Sequence, residues 1–459
     1  MLLKYNESVQ KYKQMKNKLI ISLFACAILS VSACSSYSDW NQVGTSNTIN
    51  YCLLIGQIDH TDSSETTLGL RTELGTRDLQ HIKINPNTEN PIANENFYED
   101  THGIKYRLVE LEHAEQKSIS GVPWDQQTAN ETTTLWINKH YANSWIDLEG
   151  KKRSGQSISL FVSNNDGMAM GAIGSVRWVK GMPIFGYGAN TDALLKVKSG
   201  ELFGTLDPGT TGQAAGIYMV TRNLIDHPEY TTAEATTHGF GEQNATSYGY
   251  VKSEFQPFDT ATNAMLSNNV KVTKDNVDMF YGKSILTRLE ENERIERDTT
   301  KTTKDSIYQS YYSGTDNFLN SSMKPLFENL SEKFNLTVTS TYGNGNDEAQ
   351  ALDNLNTNLT KGKIYKAFLL NLVRTTSAKL YLDAIYNVYQ ENGIVNVPII
   401  FWNRQPTNEM NQVDLKSMHD ERFKHILFVG YAARQGGAMQ GKMIREYVKS
   451  IIEAKYQDE

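Results

Sequence analysis

Short apolar runs, bounded by polar or turn-forming residues, recur along most of the chain. Their length and content predict buried β-strands at residues 51–56, 159–163, 182–186, 306–312, 336–342, 367–371, 397–403 and 425–429. Amphipathic stretches between these runs predict helices at residues 166–179, 192–199, 212–224, 317–334, 346–361, 377–391 and 440–454. Strands that alternate with helices at this spacing predict right-handed βαβ units in parallel sheets, and hence an α/β fold.

The βαβ units fall into two groups, 48–206 and 303–405, and predict two doubly wound, Rossmann-like lobes. A Thr-, Asn- and Gly-rich stretch, 230–270, and a charged segment, 288–304, lie between the groups. The charged segment has no sustained apolar stripe, so we expect a solvated linker there.

The first 33 residues have the organisation of a bacterial secretion signal. Several lysines precede an apolar run, 19–33, which is shorter than the roughly 20 residues that span a bilayer. The run ends in Val31-Ser32-Ala33-Cys34, which resembles a lipobox. We therefore expect a lipid such as palmitate on Cys34, a tether over 34–47, and attachment to the outer face of the cell membrane. The alternative is an ordinary signal peptide with an incidental cysteine, and translation can begin at Met1 or at Met15.

Composition narrows the function classes further. The chain of 459 residues carries 45 basic and 52 acidic side chains, a net charge of −7. This balance argues against nucleic-acid binding, which requires a basic face. Three cysteines cannot form a disulfide framework. If Cys34 is lipidated and Cys26 is removed, Cys52 remains as a small apolar residue in a predicted strand.

Candidate binding residues follow the predicted strands, because ligands of doubly wound folds sit at the carboxyl ends of the strands. These candidates are mainly amides, carboxylates and aromatic rings: His60, Asp62, Asn165, Asp166, Tyr187, Asp316, Phe318, Asn371 and Trp402 to Arg404. No nucleophile and base stand out as a pair. The set matches a sugar, whose hydroxyls bond carboxylates and amides and whose C–H faces pack on aromatic rings.

Several segments closely resemble the galactose/glucose-binding proteins, which are type I periplasmic binding proteins of sugar ABC importers. The resemblance rests on LFVSNNDGMAMGA at 160–172, PIFG at 183–186, LKVKSG at 195–200, GQIDHTD at 56–62, and Trp124 followed by Asp125. It implies two α/β lobes joined by a hinge, closing on a ligand.

The order of the resembling segments is unusual. Residues 313–318, 369–373, 396–403, 428–430 and 439–441 resemble the family's amino-terminal part but come last in this chain, and 270–277 resembles its carboxyl end. The resemblance thus implies a circular permutant. One lobe would comprise 48–206 plus 406–459, and the second 305–405. Residues 207–281 would hold a helix, an irregular insert and a hinge-crossing strand, and 282–304 would join the old termini.

Carried over position by position, the resemblance implies a sugar site built from both lobes. One lobe would supply Tyr312, Asp316, Phe318 and Asn371, and the other His60, Asp62, Trp124 and Asn165. Phe318 and Trp124 would sandwich the ring, while the polar side chains bond its hydroxyls. No catalytic residue or cofactor is implied. We also expect no metal, since Ser159 stands where the family's calcium-ligating Glu would be.

Three positions depart from the family's pattern. Thr66, Gly188 and Pro208 stand where the family has an Arg, an Asp and an Asn that contact sugar. The pocket is therefore expected to hold a different sugar from the family's, a smaller one, or none tightly.

The resemblance and the lipobox at Cys34 together predict a monomeric, membrane-anchored lipoprotein that binds a galactose- or glucose-like monosaccharide and delivers it to an ABC permease. It is not expected to be an enzyme. A surface antigen or adhesin with a degenerate sugar pocket is the alternative. A glycosidase using Asp62 and Asp316 is a third hypothesis, and the fold resemblance disfavours it.

Overall fold

A computed structural model describes residues 48–56, 61–74, 98–99, 104–111, 124–141, 145–146, 152–153, 158–175, 182–238, 251–296, 302–343, 347–394 and 396–457. The strands are β1 (Thr48–Leu54), β2 (Tyr98–Glu99), β3 (Lys105–Leu111), β4 (Trp145–Ile146), β5 (Lys152–Arg153), β6 (Leu160–Ser163), β7 (Ile184–Phe185), β8 (Gly204–Asp207), β9 (Ala264–Ser267), β10 (Val270–Thr273), β11 (Asp305–Tyr311), β12 (Leu336–Tyr342), β13 (Phe368–Leu370), β14 (Ile399–Trp402) and β15 (Ile426–Tyr431).

The α-helices are α1 (Thr61–Glu73), α2 (Gln126–Tyr141), α3 (Asp166–Ser175), α4 (Thr191–Ser199), α5 (Thr210–Asp226), α6 (Thr232–Thr237), α7 (Ile285–Asn292), α8 (Lys324–Lys333), α9 (Glu348–Thr360), α10 (Ala378–Glu391), α11 (Leu415–Met418) and α12 (Ala433–Gln457).

The first lobe is built on a sheet of strand order β10-β8-β7-β6-β1-β3-β2. Its central strands are parallel, whereas β10 and β2 pair antiparallel at the two edges. Alternate residues of β1 enter different cores: Tyr51 and Leu53 pack on one face of the sheet, Cys52 and Leu54 on the other. Helices therefore cover both faces, which is the doubly wound arrangement.

The second lobe is built on a wholly parallel sheet of order β12-β11-β13-β14-β15-β9. Every residue of its central strand β14 is buried, as expected for a strand with neighbours and helices on all sides. The α/β prediction of two parallel-sheet lobes is thus confirmed.

Within the described residues the chain passes between the lobes at four places, one of which is the segment that leads from β10 through α7 (Ile285–Asn292) to β11 in the second lobe. It leaves the first sheet after β8 and enters α5, whose buried face joins the core of the second lobe. It returns between β9 and β10, and again between β15 and α12, whose Met443, Ile444 and Val448 pack in the first lobe. The other three crossings form a hinge region between the sheets.

Two parts of the structure differ from the sequence predictions. Residues 285–292 of the expected solvated linker form α7, in which Leu289 is buried and buried Arg288 is paired with Asp207. β15, which the sequence analysis placed in the first lobe as part of 406–459, pairs with β14 in the second sheet. Both differences arise from contacts between residues far apart in the chain.

The predicted signal segment, the predicted tether and Cys34 lie outside the described residues. Among the residues that the structure covers, none of the helices has the length and apolar character needed to cross a membrane. Cys52 is fully buried in β1, as predicted for a small apolar residue.

Candidate functional site

A cavity that is partly open to solvent lies between the lobes, at the carboxyl ends of strands from both sheets. The first lobe lines it with Asp62, Trp124, Asn164, Asn165, Tyr187, Gly188 and Asn190. The second lobe lines it with Tyr312, Asp316, Phe318, Asn403 and Arg404, and the crossing segments with Pro208 and Tyr431. Most of these residues follow or end a strand, because the carboxyl edges of the two sheets face one another here, whereas Trp124 lies just before α2.

The aromatic residue of the first lobe is held by backbone geometry. Trp124 has a φ of 64°, in the left-handed region, and its ring packs against Gly56 at the end of β1. A Cβ at Gly56 would lie 2.6 Å from the Trp124 ring, so this packing requires glycine. The ring is thereby fixed at the cavity wall.

Asn164 and Asn165 follow β6 but use their side chains differently. Asn165 Oδ1 accepts a hydrogen bond from the Met168 backbone N at 3.1 Å, and so caps α3. Both polar atoms of the Asn164 side chain are buried without a hydrogen-bond partner. Asn164 therefore has more unused bonding capacity toward the cavity than Asn165, the residue predicted from the sequence.

The second lobe presents a carboxylate and a ring from the loop after β11. Asp316 Oδ1 accepts from the Leu319 backbone N at 2.8 Å, which anchors the carboxylate at the start of the following helical turn. Phe318, two residues later, packs against the core of the second lobe and lines the cavity. The second lobe thus mirrors the pairing of Asp62 with Trp124 in the first.

Arg404 follows β14 and is almost completely buried. Its guanidinium carbon lies 3.4 Å from the centroid of the Tyr312 ring, and Nη1 donates to the Val373 carbonyl oxygen at 2.7 Å. Stacking and hydrogen bonding fix the planar group at the cavity wall.

Burial dominates the electrostatics of the cavity. It raises the pKa of Asp62 to about 7, although the charge of Arg404 and a hydrogen bond from Tyr431 act in the opposite direction. Glu65 adds to the rise. Burial also raises the pKa values of Tyr312 and Tyr431 well above the usual range, so both hydroxyls are neutral, and they hydrogen-bond the carboxyl groups of Asp316 and Asp62.

The crossing segments are tied to the wall of the cavity. The Tyr187 hydroxyl donates to Asn269 Oδ1, and Asn269 Nδ2 donates to the Ala432 carbonyl oxygen at 2.8 Å. The Tyr187 and Tyr431 rings lie 5.7 Å apart. The hinge is therefore in direct contact with the first lobe's share of the cavity.

The structure brings together most of the residues predicted for the sugar site. Asp62, Trp124, Asn165, Tyr312, Asp316 and Phe318 all line one cavity. Asn371 directly follows β13 and is buried with both side-chain polar atoms unpartnered, but it is outside the cavity lining. His60 lies outside the described residues.

Other strand-end candidates separate into lining and core residues. Trp402 is fully buried against Tyr311 and Phe327 in the second lobe, so it is a core residue. Gly188 and Pro208 line the cavity, but Thr66 does not, and its carbonyl oxygen abuts Gly437 of α12 instead.

Sequence reasoning missed Asn164, Asn190 and Tyr431 as lining residues. Asn190 lies two positions after Gly188, which stands where the family pattern has an acid. This nearby polar side chain is the one local feature of the sequence that points to Asn190. Tyr431 reaches the cavity only because β15 ends at the hinge. Within the described part of the chain, no cluster of three or more His, Cys, Asp or Glu residues could hold a metal ion.

No protein-family model matches the chain. The curated D-galactose/methyl-galactoside binding periplasmic protein MglB of Haemophilus influenzae is 31% identical over 125 residues, which is 26% of this chain and 34% of that protein. The chain therefore spans about a third of the length of this curated relative.

Two solved structures similar to the chain are described as sugar-transport proteins. The periplasmic component of an ABC-type sugar transport system from Hahella chejuensis has a TM-score of 0.41 and 8% identity, covering 87% of this chain and 94% of that one. The periplasmic sugar binding protein of an ABC sugar transporter from Legionella pneumophila has a TM-score of 0.42 and 7% identity, covering 86% and 94%.

Proposed function

We propose that the chain binds a neutral monosaccharide in the cavity between its lobes, as the substrate-binding component of a sugar ABC importer. The carrying observation is that each lobe contributes an aromatic ring and a carboxylate to one cavity: Trp124 and Asp62 from the first, Phe318 and Asp316 from the second. This symmetry suits a ligand with two apolar faces and a hydroxylated rim.

The polar groups of the cavity suit such a ligand. Carboxylates accept strong hydrogen bonds from sugar hydroxyls, while the Arg404 guanidinium donates to sugar oxygens. Arg404 supplies, from the second lobe, the kind of cationic donor that the sequence pattern lacks at Thr66. Bonds to both lobes would favour the closed form, which the permease would recognise.

The sequence similarity to a galactose-binding periplasmic protein supports this class of ligand. The chain acts by binding and carries out no reaction on the sugar. It is a circular permutant of the type I periplasmic binding fold, with 282–304 joining the original termini. Cys34 carries a lipid that holds the protein, as a monomer, at the outer face of the membrane.

The test is calorimetric titration of the full-length protein with a panel of pentoses and hexoses. The wild type should bind at least one sugar, and the double variant Asp62→Ala/Asp316→Ala should bind none. Asp192 and Asp353 are exposed acids, one from each lobe, so Asp192→Ala/Asp353→Ala is the matched control and should bind like the wild type. Equal affinity in the two double variants would contradict the site, and a wild type that binds no sugar would contradict the function.

A further inference from the structure

Asn190 occupies the position that normally caps a helix, yet it does not cap one. It is the residue that precedes α4, with extended backbone dihedrals of −66° and 153°, and its side chain makes no capping hydrogen bond. Asparagine is favoured there because its side-chain oxygen ordinarily accepts from the first turn of the helix. The Asn190 side chain is therefore available for another purpose.

The Asn190 side chain is buried and lacks a partner for its oxygen. The residue is 6% exposed, and Oδ1 has no hydrogen-bond partner in the protein. It lines the cavity between the lobes. A buried carbonyl oxygen without a partner destabilises the empty protein. A ligand that donates a hydrogen bond to this oxygen therefore binds more tightly.

Gly188 leaves Asn190 open to the cavity. A Cβ at position 188 would lie 3.6 Å from Asn190 Nδ2 and 3.3 Å from Asp166 Oδ2. Any longer side chain there would adjoin the carboxamide and would also strain the backbone, since φ of Gly188 is 132°. The missing side chain at position 188 thus leaves the buried Asn190 carboxamide facing the cavity.

The backbone beneath Asn190 is rigidly held. The buried carboxylate of Asp166 accepts from the Asn190 backbone N at 2.9 Å through Oδ2 and from Thr205 Oγ1 at 2.7 Å through Oδ1. Asp166 therefore fixes the backbone at the cavity wall, and in this way it positions the side chain of Asn190. Pre-organisation of this kind lowers the cost of binding.

We infer that Asn190 is a specificity-determining residue of the cavity, which hydrogen-bonds one hydroxyl of the bound monosaccharide in place of the acid expected at position 188. This inference rests on the proposed function. The oxygen of a carboxamide, like that of a carboxylate, accepts a hydrogen bond from a hydroxyl, so Asn190 Oδ1 can take the place of the missing acid. A sugar in which a methoxy or fluoro group replaces that hydroxyl donates nothing to Oδ1 and should bind more weakly than the parent sugar.

The test compares the full-length wild type with Asn190→Ala and Asn190→Ser, using the best-binding hexose and its monodeoxy analogues. Serine is a good helix cap, so Asn190→Ser protects the fold while shortening the side chain. Both variants should bind the hexose about tenfold or more weakly. The wild type should bind one deoxy analogue more weakly than the hexose, because that analogue lacks the hydroxyl that bonds Asn190. Both variants should bind this analogue as well as they bind the hexose, and should respond to the other deoxy analogues as the wild type does. Asp192→Ala, an exposed change in the first turn of the same helix, is the control.

The possible outcomes separate this inference from the proposed function. A wild type that binds no sugar overturns both. A wild type that binds, together with variants of unchanged affinity and unchanged deoxy-sugar preference, overturns the role of Asn190 and leaves the function standing. A lowered melting temperature in Asn190→Ala, restored by Asn190→Ser with sugar affinity unchanged throughout, would show a purely structural role and also overturn it.

Discussion

At the scale of single residues, the cavity contains polar groups that destabilise the empty protein. Asp62 is buried and its pKa is raised to about 7, so its charged form is unfavourable where it lies. The carboxamides of Asn164 and Asn190 have buried atoms without partners. A ligand that hydrogen-bonds the Asn164 and Asn190 carboxamides stabilises the protein, because it supplies the bonds that these two groups lack in the empty cavity.

Asp62→Asn should stabilise the ligand-free protein in a pH-dependent way. The native state keeps a proton on Asp62 that the unfolded chain releases near pH 4, so the wild type's free energy of unfolding falls as pH rises toward about 7. Asparagine does not titrate. The variant should therefore be more stable than wild type by on the order of 2–4 kcal/mol near pH 8, and the difference should vanish near pH 4.

Urea unfolding across this pH range measures the difference, with exposed Asp192→Asn as the control that should show none. A constant difference between Asp62→Asn and wild type would mean that the Asp62 carboxyl titrates normally. Asp166, whose pKa burial raises to about 6, is present in both proteins and cancels from the comparison.

At the scale of elements, the sequence predicts the strands and helices whose local pattern of apolar residues is clear. Strands such as β14 and helices such as α10 are continuous apolar or amphipathic runs, and the structure has them where expected. β3 was missed because its sequence, KYRLVEL, contains charges, one of which is buried Glu110 paired with Lys139 of α2. α7 was missed for the same reason, since the partner of Arg288 is 81 residues away.

The candidate site divides in the same way. Asp62, Asp316 and Phe318 follow strands directly and could be found from the sequence. Asn190 and Tyr431 could not, because their roles depend on a missing side chain at Gly188 and on where a crossing strand ends.

Arg288→Ala should destabilise the protein by about 3 kcal/mol, because it leaves the Asp207 carboxylate buried without its cationic partner. Asp207 also accepts from the backbone N atoms of Gly209 and Thr210 at the crossing into α5, so the damage should reach the hinge. The midpoint of urea unfolding reports the change.

Lys283→Ala is the matched control for this prediction. Its ion pair with Glu291 is partly exposed, and its loss should cost less than about 1 kcal/mol. Equal effects of the two substitutions would mean that the segment is the solvated linker first expected.

At the scale of the whole molecule, the two ends of the described chain meet in the first lobe. Ile49 of β1 and Val448 of α12 belong to the same buried core cluster. Old termini joined by a linker, and new termini opened at the surface, are how a circular permutant keeps a fold intact. The proposed permutation is therefore compatible with the packing of this lobe.

A chain with the original order restored should fold. Such a variant would run from residue 302 to 457, continue through a short Gly/Ser linker into 48, and end at 296. It should unfold cooperatively with a free energy within about 2 kcal/mol of the wild type, since the contacts are unchanged and loop closure depends weakly on length. A chain without a cooperative transition would argue against the permutation.

The central claim is that the cavity between the lobes binds a monosaccharide. A thermal-shift screen of the wild type against pentoses and hexoses tests it most directly, because a ligand at a hundred times its Kd adds roughly 2.7 kcal/mol to the stability of the native state. We predict a melting temperature that rises with the concentration of one sugar or a few related sugars. An unchanged melting temperature with every sugar of the panel, even at high sugar concentration, would contradict the claim.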